Sequence, residues 1–250
     1  MHVNLYIYQN HNKDVLALYH AAVSIERAFA LEFKHFDYYY LLPEEKANHP
    51  GDIGVKSVRR KKLEDGIASG EIRSFNMSNS TDLREQHTYA IYVNDESHGG
   101  TTNISLHFPR KYSYELQAMF ENMVDLSRAT YAFQIETDSA LKGVSYMFTS
   151  TVYRNEKINF SSYLLNNDKI SQPRMMYPVN YFTETQLSHS HDAVTFRDFI
   201  NAYFGADALK SLGTDIFVLK IDFEKLSEVN NDFGEAGFLI SWIETRRRTK

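Results

Sequence analysis

Thr88-Tyr89-Ala90-Ile91-Tyr92-Val93 and Thr102-Asn103-Ile104-Ser105-Leu106-His107-Phe108 are the stretches whose reading decides the fold. The first is rich in β-branched and aromatic residues and reads as a strand. The second alternates, with Ile104, Leu106 and Phe108 on one face, and Pro109 ends it because proline lacks the ladder N–H. Between them Asn94-Asp95-Glu96-Ser97-His98-Gly99-Gly100 is turn-forming, since Gly and Asn tolerate positive φ. A helix follows from Ser113, with Leu116, Met119, Phe120, Met123, Val124 and Leu126 as its buried stripe, and then a strand from Tyr131 to Glu136. Two strands, a helix and a third strand make an α+β unit. Nothing in it carries chemistry.

Outward from that unit the pattern continues. Val3 to Tyr8 reads as a strand. Asn12 is placed to cap a helix over Lys13 to Lys34, whose apolar residues recur at three- and four-residue spacing. Tyr38 to Leu42 and Glu71 to Met77 read as strands, with a short helix over Val58 to Ile67. Val144 to Tyr153 fits a strand or a buried helix. Thr195-Phe196-Arg197-Asp198 matches a capping box for a helix burying Phe196, Phe199, Ile200, Tyr203 and Phe204. Asp215 to Asp222 and Gly237 to Thr245 read as the last strands. The expectation is a single α+β domain over residues 1–250, a mostly antiparallel sheet with helices packed on one face. The alternative is two sheet-and-helix halves meeting near residue 140.

With 43% hydrophobic and 24% charged residues, the 250-residue chain has the composition of a folded globular protein. It has no cysteine, which excludes disulfides, thiolate metal sites and thiol nucleophiles. No signal peptide and no run of 18 apolar residues is found, so a cytoplasmic location with no membrane partner is expected. The net charge is −5 but uneven. Lys56, Arg59, Arg60, Lys61 and Lys62 form one basic cluster, and Arg246, Arg247, Arg248 and Lys250 a second. Without those nine, 18 basic residues stand against 32 acidic ones. Such an acidic body suits a basic partner protein and not nucleic acid.

Three groups invite a chemical reading. Ser188-His189-Ser190-His191-Asp192 has imidazoles and a carboxylate close enough in sequence to ligate zinc or manganese, but it lacks a third histidine and reads as a solvated loop before a helix. A metal-dependent hydrolase or nuclease using His189, His191, Asp192 and an acid such as Asp222 or Glu224 is the alternative function. Glu136 and Asp138, at a strand end, read as ordinary polar caps. In Tyr38-Tyr39-Tyr40, alternation puts Tyr38 and Tyr40 on one face and Tyr39 on the other; one face reads as core, and the other reads first as core and alternatively as an exposed binding surface. No nucleophile elbow and no phosphate loop occurs. No metal and no cofactor is expected.

The order of the unit from Thr88 to Glu136, then Met176-Tyr177-Pro178-Val179-Asn180-Tyr181-Phe182-Thr183-Glu184-Thr185-Gln186-Leu187, the capped helix from Thr195 to Phe204 and a strand resembles bacterial immunity proteins of polymorphic-toxin and type VI secretion systems. The resemblance spans roughly the last two-thirds of the chain. It implies a protein that is not an enzyme and that occludes the active site of a cognate, basic, cytoplasm-acting toxin. The acids Glu44, Glu45, Asp52, Asp95 and Glu96 are assigned to the toxin-binding surface. A structural or assembly protein that self-associates through its aromatic surface is a third reading, and a homodimer stays open.

Overall fold

The first strand, β1 (His2–Asn10), dictates the architecture. Val3, Leu5 and Ile7 are buried in one apolar cluster, and Tyr6 and Tyr8 in a second. Successive side chains of a strand point to opposite faces, so β1 must lie inside a sheet covered on both sides. The structure, a computed structural model, describes residues 1–10, 14–49, 52–95, 101–148, 150–166, 170–213 and 215–244.

The further strands are β2 (His35–Leu41), β3 (Ile53–Ser57), β4 (Ser74–Ser78), β5 (Ala90–Asn94), β6 (Thr101–Pro109), β7 (Tyr131–Thr137), β8 (Val179–Thr183), β9 (Ser190–His191), β10 (Val194–Thr195), β11 (Lys210–Leu212) and β12 (Ile216–Lys220). The helices are α1 (Val15–Ala28), α2 (Arg60–Ala68), α3 (Ser113–Leu126), α4 (Ala140–Phe148), α5 (Phe160–Asn166), α6 (Glu184–Leu187), α7 (Phe196–Phe204) and α8 (Leu226–Glu235). Ten strands form one antiparallel sheet in the order β11-β12-β8-β7-β1-β6-β5-β4-β2-β3, and β9 and β10 make a separate hairpin. Among the described residues no helix is long and apolar enough to cross a membrane.

Helices lie on both faces of the sheet, where one covered face was expected. α1, α2 and α3 pack beside Leu5, Ile104, Leu106, Phe75 and Ile91. α4, α5, α6, α7 and α8 pack on the opposite face beside Tyr6, Tyr131, Phe133, Phe182 and Leu219. The reason is the double-sided apolar character of β1, against the alternation of β6 and β7. The second layer is aromatic: Phe133 and Tyr177 stack at 3.9 Å between centroids, and the Arg174 guanidinium lies 3.9 Å over the Tyr146 ring. Such contacts add about 1 kcal/mol each to the area they bury.

Several boundaries differ from the expectations. Asn12 lies outside the described residues, and α1 starts at Val15, capped by Asp14, whose Oδ1 accepts the Ala17 N–H at 2.9 Å. It ends at Ala28 rather than near Lys34. Ala30 takes a left-handed φ of 49°, its N–H donates to the Arg27 carbonyl and the Leu31 N–H to that of Glu26. That is a Schellman turn without glycine. α3 closes the same way around Arg128, also at φ 49°. Ser113 opens α3 as a helical residue, with Tyr112 as the cap. Residues 144–148 belong to α4. The Thr195 cap holds, its Oγ1 accepting the Asp198 N–H at 3.0 Å.

The expected last strand from Gly237 is instead irregular chain after α8. It is fastened by the Ile240 N–H to the Pro173 carbonyl, the Ser241 N–H to that of Arg174 and a single bridge between Glu156 and Trp242. Trp242 lies against Gly234 of α8, where no side chain would fit. Apolar packing onto a helix, not ladder pairing, explains that run of large residues.

Candidate functional site

The face that carries Tyr6 and Tyr8 changes character along the sheet. Over β1, β7, β8 and β12 it is apolar and roofed by helices. Over β6, β5, β4 and β2 the register places Ser105, Tyr92, Asn76 and Asp37 in one transverse row, ending at Ser57 of β3. A neighbouring row holds His107, Ala90, Ser78 and His35, and a third holds Ser74, Tyr39 and Val55. Among the described residues, none of the second apolar cluster comes from β2, β3, β4, β5 or β6. Toward its β2–β3 end this half-face is open, with Asp37, Tyr39 and Tyr92 part-exposed, whereas α4 roofs Ser105 and His107 at the β6 end.

Its groups are ordered. Asp37 accepts from Ser57 Oγ at 2.5 Å and from Asn76 Nδ2 at 3.0 Å, and the same amide nitrogen lies 3.3 Å from the Tyr39 hydroxyl. The Asn76 amide oxygen is buried and has no partner. Among the described residues no cation is paired with Asp37. Burial raises the Tyr39 hydroxyl's pKa, partly offset by the Asn76 bond, and it raises that of Tyr92 further, so both stay protonated. At the outer corner Leu41 faces Ile53 and Tyr39 faces Val55. Ile53, Val55 and Leu41 are 44%, 59% and 55% exposed, an apolar strip on a sheet edge. Tyr38 and Tyr40 point the other way. Tyr38 packs on the α1–α3 core, and the Tyr40 ring crosses Gly54, where a Cβ would meet its Cζ at 2.5 Å.

Of the acids assigned to toxin binding, Glu44, Glu45, Asp52 and Asp95 lie at one end of the sheet. Glu44 and Glu45 are exposed in a 3₁₀ turn after β2. Asp52 precedes β3, and its Oδ2 accepts the N–H groups of Asn48 and His49 at 2.7 and 3.0 Å. Asp95 follows β5 at the same end but is buried, paired with Arg73 at 2.5 Å. Glu96 lies outside the described residues. The sequence reading missed β3 and with it the partnership of Asp37, Asn76, Tyr92, Ile53 and Val55. Alternation in β6 was the one available signal that a polar face existed.

Ser105, His107 and Asn4 stand in a relay. Ser105 Oγ is 3.0 Å from His107 Nε2, and His107 Nδ1 is 2.7 Å from Asn4 Oδ1. Asn4 Nδ2 donates to Thr137 Oγ1 at 2.9 Å, which makes Oδ1 the acceptor and places the imidazole proton on Nδ1. The distances match a nucleophile–base–orienter set. All three side chains are wholly buried, and burial pulls the His107 pKa down to about 3. A histidine so reluctant to take a proton is a poor base at neutral pH. Gly143 of α4 caps the relay, since a Cβ there would meet His107 Nδ1 at 2.7 Å.

The histidine motif falls in the β9–β10 hairpin, a mostly exposed segment directly before α7, as the solvated reading expected. Asp192 and Ala193 have φ of 48° and 64°, the geometry of a type I′ turn. His191 Nδ1 is 3.5 Å from Asp192 Oδ2, and the His191 ring packs on Phe238. Burial lowers the His189 pKa, with His191 adding to the effect. Asp222 and Glu224 are exposed at a 3₁₀ turn after β12. Glu136 pairs with Arg110 and Asp138 with Lys142. Among the described residues no three histidine, aspartate or glutamate side chains come together as a metal site. The first basic cluster is divided: Arg60 pairs with Glu26 and lies over Phe36, and Lys61 pairs with Asp65 at 2.8 Å. The second cluster lies outside the described residues.

No family model and no curated protein matches the chain. Among solved structures it is similar in fold to the Pseudomonas aeruginosa T6SS protein PA0821, with a TM-score of 0.52 at 10% sequence identity. The match covers 87% of this chain and 64% of that one, so this chain spans less than two-thirds of the protein it matches.

Proposed function

We propose that this chain is an immunity protein of a type VI secretion or related toxin system, a non-enzymatic binder that neutralises a cognate toxin in the cytoplasm by covering its active site. The observation that carries the reading is the open half-face. Its outer strands present tyrosine and carboxylate groups, with an exposed apolar strip beside them. Such a mixture suits a protein interface: aromatic and apolar anchors supply the energy and flanking polar groups fix the register. The sealed Ser105–His107–Asn4 relay favours binding over turnover, because substrate has no route to it. Likeness in fold to a T6SS protein is consistent with the assignment.

The test is co-expression of this chain with the protein encoded in the adjacent reading frame, in cells that protein kills. Growth should be restored, the two proteins should co-purify as a stable complex, and fractionation should place that complex in the cytoplasm. Cells that die regardless, with no complex formed, would sink the proposal.

A further inference from the structure

We infer that the toxin is received at the β2–β3 corner of the open face, with Tyr39, Leu41, Ile53 and Val55 as the apolar anchor and with the Asp37 carboxylate taking one cationic side chain of the toxin. This rests on the immunity reading and adds to it the site and the chemistry of the partner.

Three observations converge there. Leu41, Ile53 and Val55 are exposed side by side, and isolated edge strands rarely leave such residues uncovered. Next to them, the part-exposed Asp37 carboxylate is held in place by Ser57 and Asn76, and among the described residues no cation is paired with it. A carboxylate with spare acceptor capacity is met best by a guanidinium or ammonium, which supplies donors and charge together. Third, the charge is lopsided. Asp37, Glu44, Glu45 and Asp52 surround the corner, with Lys46 as the base among them. Lys56 alternates onto the opposite face, where Arg59, Arg60, Lys61 and Lys62 also gather along the start of α2. A basic partner is drawn to one side of this hairpin and repelled from the other.

The experiment uses the full chain and a catalytically inactivated form of the protein encoded in the adjacent reading frame. Ile53→Glu combined with Val55→Glu should weaken binding about 100-fold and abolish growth protection, because charge replaces the desolvated anchor. Phe223→Glu, a control at another exposed apolar residue, should leave affinity within about twofold. Asp37→Asn, nearly isosteric, should weaken binding about tenfold and flatten its salt dependence. Should the double variant fail to fold by circular dichroism, Asp37→Asn decides alone. If the wild type protects and binds while the folded variants match it, the corner is wrong and the immunity reading stands. If the wild type neither protects nor binds, the immunity reading falls and takes this site with it.

Discussion

Arg174 donates its Nε to Glu156 Oε1 at 2.8 Å with both side chains almost wholly out of water. Every other polar atom of the pair is occupied. Arg174 also donates to the carbonyls of Tyr146 and Ser150, and Glu156 also accepts from the Tyr146 hydroxyl and the Val152 and Tyr153 N–H groups. Burial opposes the guanidinium charge, but Tyr146, Tyr177 and Glu156 outweigh it and raise the Arg174 pKa. The pair ties the segment after α4 to the chain entering β8. Arg174→Met strands a carboxylate in the core and should cost about 3–5 kcal/mol in urea denaturation. Adding Glu156→Gln should restore part of the loss. An additive double variant would show that the two residues do not act as a unit.

His107 makes stability depend on acid. Its folded pKa of about 3 lies below the ordinary 6.5, so the unfolded chain takes up a proton that the folded chain refuses. The contribution is complete above pH 6.5 and is lost progressively as pH falls toward 3, at about 1.4 kcal/mol per pH unit. His107→Gln can keep a donor for Asn4 and an acceptor for Ser105. It should lower stability at pH 7 yet flatten the slope between about pH 6 and 4. Equal slopes for variant and wild type would mean that His107 is protonated in the folded protein.

Ala30 sits exposed in a left-handed conformation that glycine adopts without strain. Ala30→Gly should stabilise the protein by about 0.5–1 kcal/mol, against the usual direction for glycine substitutions. Arg128→Gly at the end of α3 should do the same. A loss of stability in both would argue against the two Schellman turns.

Ser105→Ala removes the hydroxyl of the relay. Growth protection and toxin affinity should not change, and a fluorophosphonate probe should not label the wild-type protein at Ser105. Labelling there would reopen an enzymatic reading.

What could be read from the residues divides along physical lines. β6, the α7 cap and the stripe of α3 were legible because each carries its own signal: alternation, a Thr–Asp pair, a 3.6-residue period. The end of α1 was not, because Ala30 occupies the position where glycine would have announced the turn. β3 was missed because it is short and four of its five residues are exposed. The run after Gly237 misled because packing around Trp242 selects the same large side chains as a buried strand. The open face could not have been found locally: Asp37, Asn76, Tyr92 and Ser105 are far apart in sequence and become neighbours only through the register of four strands.

The position of β1 bears on how the molecule is made. It is wedged between β6 and β7, with His2 opposite both Pro109 and Thr137. On the ribosome β1 emerges before either neighbour exists; β6 can pair one edge once Thr101–Pro109 is made, but the other edge waits for β7, beyond Tyr131. Closure of the middle of the sheet is therefore a late, long-range event, slow for the same reason that high contact order slows other β topologies. A nascent chain with such a strand waiting is a natural client for chaperones.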